Sequence, residues 1–291
     1  MDPNRLARKR EAVERALQAF GRVIVAFSGG VDSTVLAKLA RGTLGKANVL
    51  AVTADSASLA REDLAQAKRL AQELDLEHVV IATREVERPA YRANSEARCF
   101  VCKQELFEEL EDLAVSRHIP VVLYGAIGDD RIEERPGQRA ALQYGVRAPL
   151  QDAGLEKWEV RELARSLGLS NWDRPQNSCL SSRIPHGQAV TEEKLRQIEG
   201  AEAVLRSAGF RQVRVRHLGR RARIEVAPSD MGRFEDAGFR REIAAKLLAL
   251  GFDVVSVDRA GYRSGGADVQ LVDEWVLHSG EPVKEVSTCA E

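Results

Sequence analysis

Val23-Ile24-Val25-Ala26-Phe27-Ser28-Gly29-Gly30-Val31-Asp32-Ser33 is the stretch on which the reading of this chain turns. Five apolar residues are followed by a serine, two glycines and the start of a helical pattern. An uninterrupted Val/Ile run suits a strand buried on both faces, and the glycines let the backbone turn sharply into a helix. The first amides of such a helix have no intrahelical acceptor and favour negative charge. The turn therefore reads as an anion cradle, to which Ser28 and Ser33 add hydroxyls. It is not a Walker A sequence, because no lysine follows the glycines, nor does it match G-x-G-x-x-G. A tight strand-to-helix turn capped by serines is the competing reading.

Working outward, the first half alternates short apolar runs with amphipathic patterns. Strands are expected at Val23–Phe27, Val49–Asp55, His78–Thr83 and Val121–Ala126, with a weaker one near Arg147–Leu150. Helices are expected at 4–19, 33–41, 60–74, 103–117 and 156–167. This pattern predicts an α/β fold whose parallel sheet is covered on both faces. Past Leu169 the periodicity stops, and a loop with two prolines runs to Gly187. A small α+β unit follows, with helices at 191–208 and 236–250 and strands at 212–217, 222–227 and 253–258. Two domains are expected, residues 1–170 and residues 171–291, the second beginning with the linker loop.

The chain has 291 residues, 44% hydrophobic and 30% charged, with a formal net charge of -1. That balance neither demands nor excludes a polyanionic partner. The N-terminus lacks the apolar core of a signal peptide and no apolar run reaches spanning length, so a cytoplasmic location without a membrane partner is expected. Of the four cysteines, Cys99, Cys102, Cys179 and Cys289, the first two form a C-x-x-C just before a helix. Spacing of three places both sulfurs on one side of a helical turn, either as metal or redox thiols or as a packed pair beside Phe100. Cys179 stands among Ser178, Ser181, Ser182 and Arg183, groups that could favour its reactive thiolate. Cys289 reads as a tail thiol.

Arginines 206, 211, 214, 216, 220, 221 and 223 crowd one stretch. Alternation puts Arg214, Arg216, Arg223 and Glu225 on one sheet face if Leu218–Arg221 is the turn. Guanidinium forks suit phosphate, while a solvated, salt-bridged hairpin is the alternative. Aromatic residues are only 5% of the chain, so a single-stranded RNA platform is not expected.

The Ser28–Ser33 string resembles the PP-loop of adenine-nucleotide alpha-hydrolase-like enzymes, which use ATP and release pyrophosphate. The resemblance implies that Ser28, Gly29, Gly30, Asp32 and Ser33 surround pyrophosphate and Mg²⁺. Strand-end positions Thr53, Asp55, Ser56, Gly125 and Ala126 are candidate nucleoside contacts or plain turn residues. Taken with Arg98-Cys99-x-x-Cys102-Lys103, the run Cys179-Leu180-Ser181-Ser182-Arg183-Ile184-Pro185 and Gly261-Tyr262-Arg263-Ser264-Gly265, the chain is similar over nearly its whole length to the LarE family. Members thiolate pyridinium-3,5-biscarboxylic acid mononucleotide for the nickel-pincer nucleotide.

The resemblance implies adenylation of a substrate carboxylate, with sulfur coming sacrificially from Cys179 or from a hydrosulfide on a 4Fe-4S cluster held by Cys99, Cys102 and Cys179. Zinc is the simpler competitor. Ser182, Arg183, Arg214 and Arg216 would bind the substrate phosphate, while Glu202 and Glu225 would hold a cation beside it. The substrate is expected between the two domains, in a homo-oligomer that hands product to a nickel-inserting enzyme. A PP-loop tRNA thiolase and a non-catalytic adenine-nucleotide sensor are the alternatives.

Overall fold

The computed structural model describes residues 3–130, 136–263 and 274–277. Helix α1 (Pro3–Phe20) leads into β1 (Val23–Ala26), α2 (Val31–Leu44), β2 (Val49–Asp55), α3 (Arg61–Glu73) and β3 (Glu77–Ala82). A one-turn α4 (Pro89–Arg92) precedes α5 (Arg98–Arg117) and β4 (Val121–Tyr124). Then come α6 (Pro136–Gln143), the short α7 (Pro149–Asp152) and α8 (Lys157–Ser166).

The four strands are parallel, in the order β3-β2-β1-β4. Successive strand residues face opposite ways, and here both faces are buried. Val23, Val25, Val49 and Ala51 join one core with Leu17, Leu36, Leu70 and Leu163, while Ile24, Leu50 and Val52 join another with Phe107 and Leu110 of α5. This is the covered parallel sheet that the apolar runs imply. The weak strand expected near Arg147–Leu150 is corrected: Arg147 makes a single bridge to Leu123, and Pro149 then opens α7. Proline cannot donate to a ladder but suits a helix start.

Strand order determines where a ligand crevice can open. From β1 the chain moves outward through β2 to β3, then crosses to β4 on the other side of β1. The connections leaving β1 and β4 therefore diverge, and a crevice opens at the carboxyl ends of those two strands.

A second unit contains α9 (Glu192–Ser207), β5 (Val213–Leu218), β6 (Arg221–Val226), α10 (Ala237–Leu248), β7 (Val254–Asp258) and β8 (Glu274–Leu277). Its sheet runs β5-β6-β7-β8, with only β6 and β7 parallel. Val213, Val215, Ile224, Val226, Val255 and Val257 meet Leu205 of α9 and Leu247 of α10 in one core. Most alternate residues of the same strands are charged or polar: Arg214, Arg216, Arg221, Arg223, Glu225, Ser256 and Asp258.

Chain contacts divide the protein into Met1–Tyr91 with Glu96–Asn177, and Arg92–Ser95 with Ser178–Glu291. Residues 171–177 thus fall with the first unit. The tetrapeptide joins the second because Asn94, fully buried, donates through Nδ2 to the carbonyls of Ile184 (3.2 Å), Pro185 (2.7 Å) and Gln188 (2.9 Å). Among the described residues no helix is long and apolar enough to cross a membrane.

His217 lies on the apolar side of the second sheet, beside Phe252, with Nε2 2.9 Å from Gln197 Oε1. Burial, aided by Lys194, lowers its pKa from 6.5 to about 4. The unfolded chain takes up this proton at higher pH than the folded one does. Stability that is complete above pH 6.5 is therefore lost as pH falls towards 4. Thermal melts across that window are expected to show a smaller fall in Tm for His217→Gln than for the wild type; identical falls would remove His217 as a contributor.

Candidate functional site

The turn after β1 is assembled from both neighbours. Phe27 N donates to Val52 O at 2.7 Å, and Thr53 Oγ1 donates to Phe27 O at 2.5 Å. Gly29 has φ +71, and a Cβ there would stand 3.0 Å from Ala67 Cα of α3, so both conformation and space require glycine. The Gly30 carbonyl accepts from Ser33 Oγ (3.0 Å), Thr34 Oγ1 (2.8 Å) and Thr34 N (3.0 Å), which locks the first turn of α2. Behind the turn, buried Asn171 donates through Nδ2 to Gly29 O (3.1 Å) and Thr34 Oγ1 (3.0 Å).

Opposite lies the end of β4. A Cβ on Gly125 would come 2.8 Å from Ser33 N, so the missing side chain lets β4 close against the start of α2. Between them is a cleft of about 220 Å³, lined by Ser28, Gly30, Asp32, Ser33 and Gly125 and bounded by Lys103, Tyr124 and Asp130. It occupies the crevice at the carboxyl ends of β1 and β4. Burial, with Asp130 and Asp152 nearby, pushes the Tyr124 phenol up to about 12. It remains a neutral donor there.

Asp32 does not stand alone. Lys157, the first residue of α8, places Nζ 2.7 Å from each Asp32 carboxylate oxygen. Burial raises the Asp32 pKa while Lys157 opposes the rise. The lysine is in turn set by Asp129 Oδ2, which accepts from Lys157 N at 3.1 Å. Nothing in the sequence near residue 157 marks it, for its partner is 125 positions away. A half-buried carboxylate within an anion cradle fits a divalent cation bridging it to phosphate oxygens. The ammonium meets that electrostatic need here.

Thr53, Asp55 and Ser56, expected as nucleoside contacts, end the neighbouring strand outside the cleft lining. Their side chains are engaged within the protein: Thr53 with Phe27 O, Asp55 with Arg61 at 2.6 Å, and Ser56 Oγ with Glu85 Oε1 at 2.5 Å.

Helix α5 starts at Arg98, so Cys99 and Cys102 lie inside its first turns and not before it. Cys99, Cys102, Lys103, Leu106 and Phe107 form an i, i+3, i+4, i+7, i+8 stripe, whose last three residues line the cleft. Cys99 is exposed and Cys102 half-buried. Their donor type suits a soft metal, yet a pair is too few for a closed site. Among the described residues no three His, Cys, Asp or Glu side chains gather as a metal-binding group. Cys289, Ser264 and Gly265 lie outside the described residues.

Cys179, in the second unit, precedes a 3-10 turn at Leu180–Arg183 and is half-buried. Its loop is folded around Arg183, whose Nη1 reaches Ser178 O (2.6 Å), Cys179 O (2.8 Å) and Ser182 Oγ (2.9 Å). The other edge of the same guanidinium grips Glu202, with Nε to Oε1 at 2.7 Å and Nη2 to Oε2 at 3.1 Å. Arg183 and Glu202 are both 0% exposed. Expected as a phosphate ligand, Arg183 is therefore enclosed as the organiser of the thiol loop.

Glu202 and Glu225, expected to hold a cation, are each engaged by arginines. Burial alone would raise the Glu202 pKa, but Arg183, then Arg206 and Arg214, hold it below the usual carboxylate range. Glu225 takes a bidentate fork from Arg216 (3.0 and 2.8 Å) and a further bond from Arg223 (3.0 Å). The register places Arg214 opposite Glu225 and Arg216 opposite Arg223, which unites the charged face the alternation predicts. Arg216 Nη1 also donates to Ser182 O at 3.0 Å, and Ser182 Oγ donates to Cys179 O at 2.8 Å. Arg214 lies 5.2 Å from the Tyr262 ring. Burial, with Arg183 as a like charge, lowers its pKa to about 10. An anion arriving there would be strongly favoured.

The NAD synthase family profile matches residues 8–109. An uncharacterised Synechocystis protein, slr1717, is 42% identical over 87% of this chain and 95% of its own length. The pyridinium-3,5-bisthiocarboxylic acid mononucleotide synthase of Lactiplantibacillus plantarum is 37% identical over 89% of this chain and 94% of its own. A glutamine-hydrolysing GMP synthase component from Methanosphaerula palustris is 31% identical over 53% of each chain.

Gly125→Ala tests the closeness of β4 to the cradle. The added methyl would have to displace the Ser33 amide, costing about 1–3 kcal/mol by overpacking. A lower urea midpoint is the expected result; an unchanged midpoint would show that the two backbones separate freely.

Proposed function

This chain belongs to the family of the Lactiplantibacillus plantarum pyridinium-3,5-bisthiocarboxylic acid mononucleotide synthase, and on that premise we propose that it is an ATP-dependent sulfurtransferase acting on the carboxylates of pyridinium-3,5-biscarboxylic acid mononucleotide. The observation that carries the reading is the cleft at β1 and β4, where helix-start amides and Asp32 meet beneath the open end of the sheet. Ser28, Gly30 and Ser33 cradle the triphosphate. Asp32 would hold a Mg²⁺, which when bound would supply positive charge for the leaving pyrophosphate. Lys157 then exchanges Asp32 for phosphate oxygens.

A substrate carboxylate oxygen attacks the α-phosphorus, pyrophosphate leaves, and an acyl adenylate forms. The Cys179 thiolate adds to the acyl carbon and AMP departs with the bonding pair, leaving a thioester. Loss of the Cys179 Cα proton then breaks Cβ–S, giving a thiocarboxylate and dehydroalanine. Arg214 and Arg216 bind the substrate phosphate, helped by the low dielectric of their setting. The resemblance also implies a second sulfur source, a 4Fe-4S cluster that Cys99, Cys102 and Cys179 would hold and whose open iron would carry an added hydrosulfide. No three such ligands gather among the described residues here.

Pyrophosphate release is expected to require the biscarboxylated mononucleotide and to ignore tRNA; release driven by tRNA would overturn the substrate assignment. Cys179→Ala should bind ATP as the wild type does yet form no thiocarboxylate. Intact mass after turnover separates the two sources, since the sacrificial route removes one H₂S per protein and the cluster route leaves the mass unchanged while iron and sulfide co-purify. Arg214→Ala should raise KM for the mononucleotide about tenfold or more, in keeping with the loss of a charged hydrogen bond of roughly 1.5–3 kcal/mol.

A further inference from the structure

Residues 171–177 form no helix or strand, yet they are held at three places within the first unit. At one end, Asn171 grips the back of the phosphate-binding turn through Gly29 O and Thr34 Oγ1. In the middle, Arg161 of α8 donates to the carbonyls of Trp172 (3.3 Å) and Arg174 (3.0 Å). At the far end, Asp63 on the first turn of α3 accepts from Arg174 Nη2 at 2.7 Å and Asn177 Nδ2 at 2.6 Å. The Asp63 side chain is 14% exposed, so this is a sheltered junction and not a solvated surface pair. An irregular segment loses much backbone entropy on ordering; three separate clamps offset that loss. Cys179 follows two residues later.

The two ends of this segment thus have different attachments. One is the carbonyl of Gly29, a backbone group of the turn that receives phosphates. The other leads directly into the chain carrying the thiol. Asn171 is tied to the turn through Gly29 O and Thr34 Oγ1, and Asp63 fixes Asn177, two residues before Cys179. None of this motif touches a reacting atom.

Resting on the ATP and Cys179 assignments, we propose that residues 171–177 are a strap through which nucleotide occupancy of the first unit sets the accessibility of Cys179. Asn171 and the Asp63–Arg174–Asn177 junction serve as its positioning residues. Coupling of this kind requires an element whose state both sites bias, the part proposed for this strap.

The test uses full-length protein and iodoacetamide, with labelling of the Cys179 peptide followed by mass spectrometry with and without Mg-ATP. In the wild type, Mg-ATP is expected to change the labelling rate at least fivefold. Asp63→Ala and Arg174→Ala should bind ATP within twofold of the wild type but show less than a twofold change in labelling. Combining Asp63→Arg with Arg174→Asp should restore the response, which a merely unfolded variant could not do. In turnover, the single variants should release several pyrophosphates per thiocarboxylate formed. Persistence of the full Mg-ATP response in both single variants would overturn the proposal, as would its absence in a wild type that binds ATP. A wild type that fails to bind ATP at all would instead overturn the nucleotide reading beneath it.

Discussion

The closeness of two backbones governs the first unit. At the carboxyl end of β4 the chain runs so near the first turn of α2 that a single methyl on Gly125 would collide with the Ser33 amide. That approach, together with the left-handed Gly29 wedged against Ala67, turns a generic strand-to-helix corner into a concave ring of donors. The order of strands supplies the location: only beside β1 and β4 do the outgoing connections part. Asp32 can lie in this positive ring because Lys157 accompanies it from a different helix. Burial raises the pKa of that carboxylate, and the lysine opposes the rise.

The second unit concentrates positive charge by other means. In place of main-chain amides it presents guanidinium groups, fixed by carboxylates that are themselves buried. Glu202 orients Arg183 and Arg206, and Glu225 orients Arg216 and Arg223. Desolvating such charges is expensive, and the attraction between partners repays it only when geometry is good and further hydrogen bonds are made. The bidentate contacts meet that condition. The acidic residues therefore act as a mould for the arginines, a role that the same residue types share with cation ligands at the level of sequence.

What can be read from the sequence depends on the range of the forces involved. The two central strands announce themselves as unbroken runs, Val23–Ala26 and Val49–Val52, because burial on both faces leaves no polar positions there. The charged hairpin face is legible for a related reason, since a period of two is set by the pleat alone. Pro149 argues against a strand at Arg147–Leu150, because it leaves no ladder donor at that position. Lys157, Asn171 and the enclosure of Arg183 have no local signature. Each depends on a partner brought up by the completed fold, across 125 positions for Lys157 with Asp32 and 142 for Asn171 with Gly29. The sequence pattern sets the start of α5 too late because a cysteine pair reads as a loop motif, whereas here it occupies helical turns.

The way the thiol loop is built bears on the fate of the spent polypeptide. Its curvature comes from carbonyl and hydroxyl oxygens wrapped about one guanidinium, and the sulfur takes no part in that wrapping. On the sacrificial route proposed above, erasing the sulfur would remove none of these hydrogen bonds. A molecule that had surrendered its thiol would persist as a folded, ligand-competent but chemically exhausted copy, competing with fresh copies for the same nucleotide, so the ratio of old to new chains would set the throughput of the whole population.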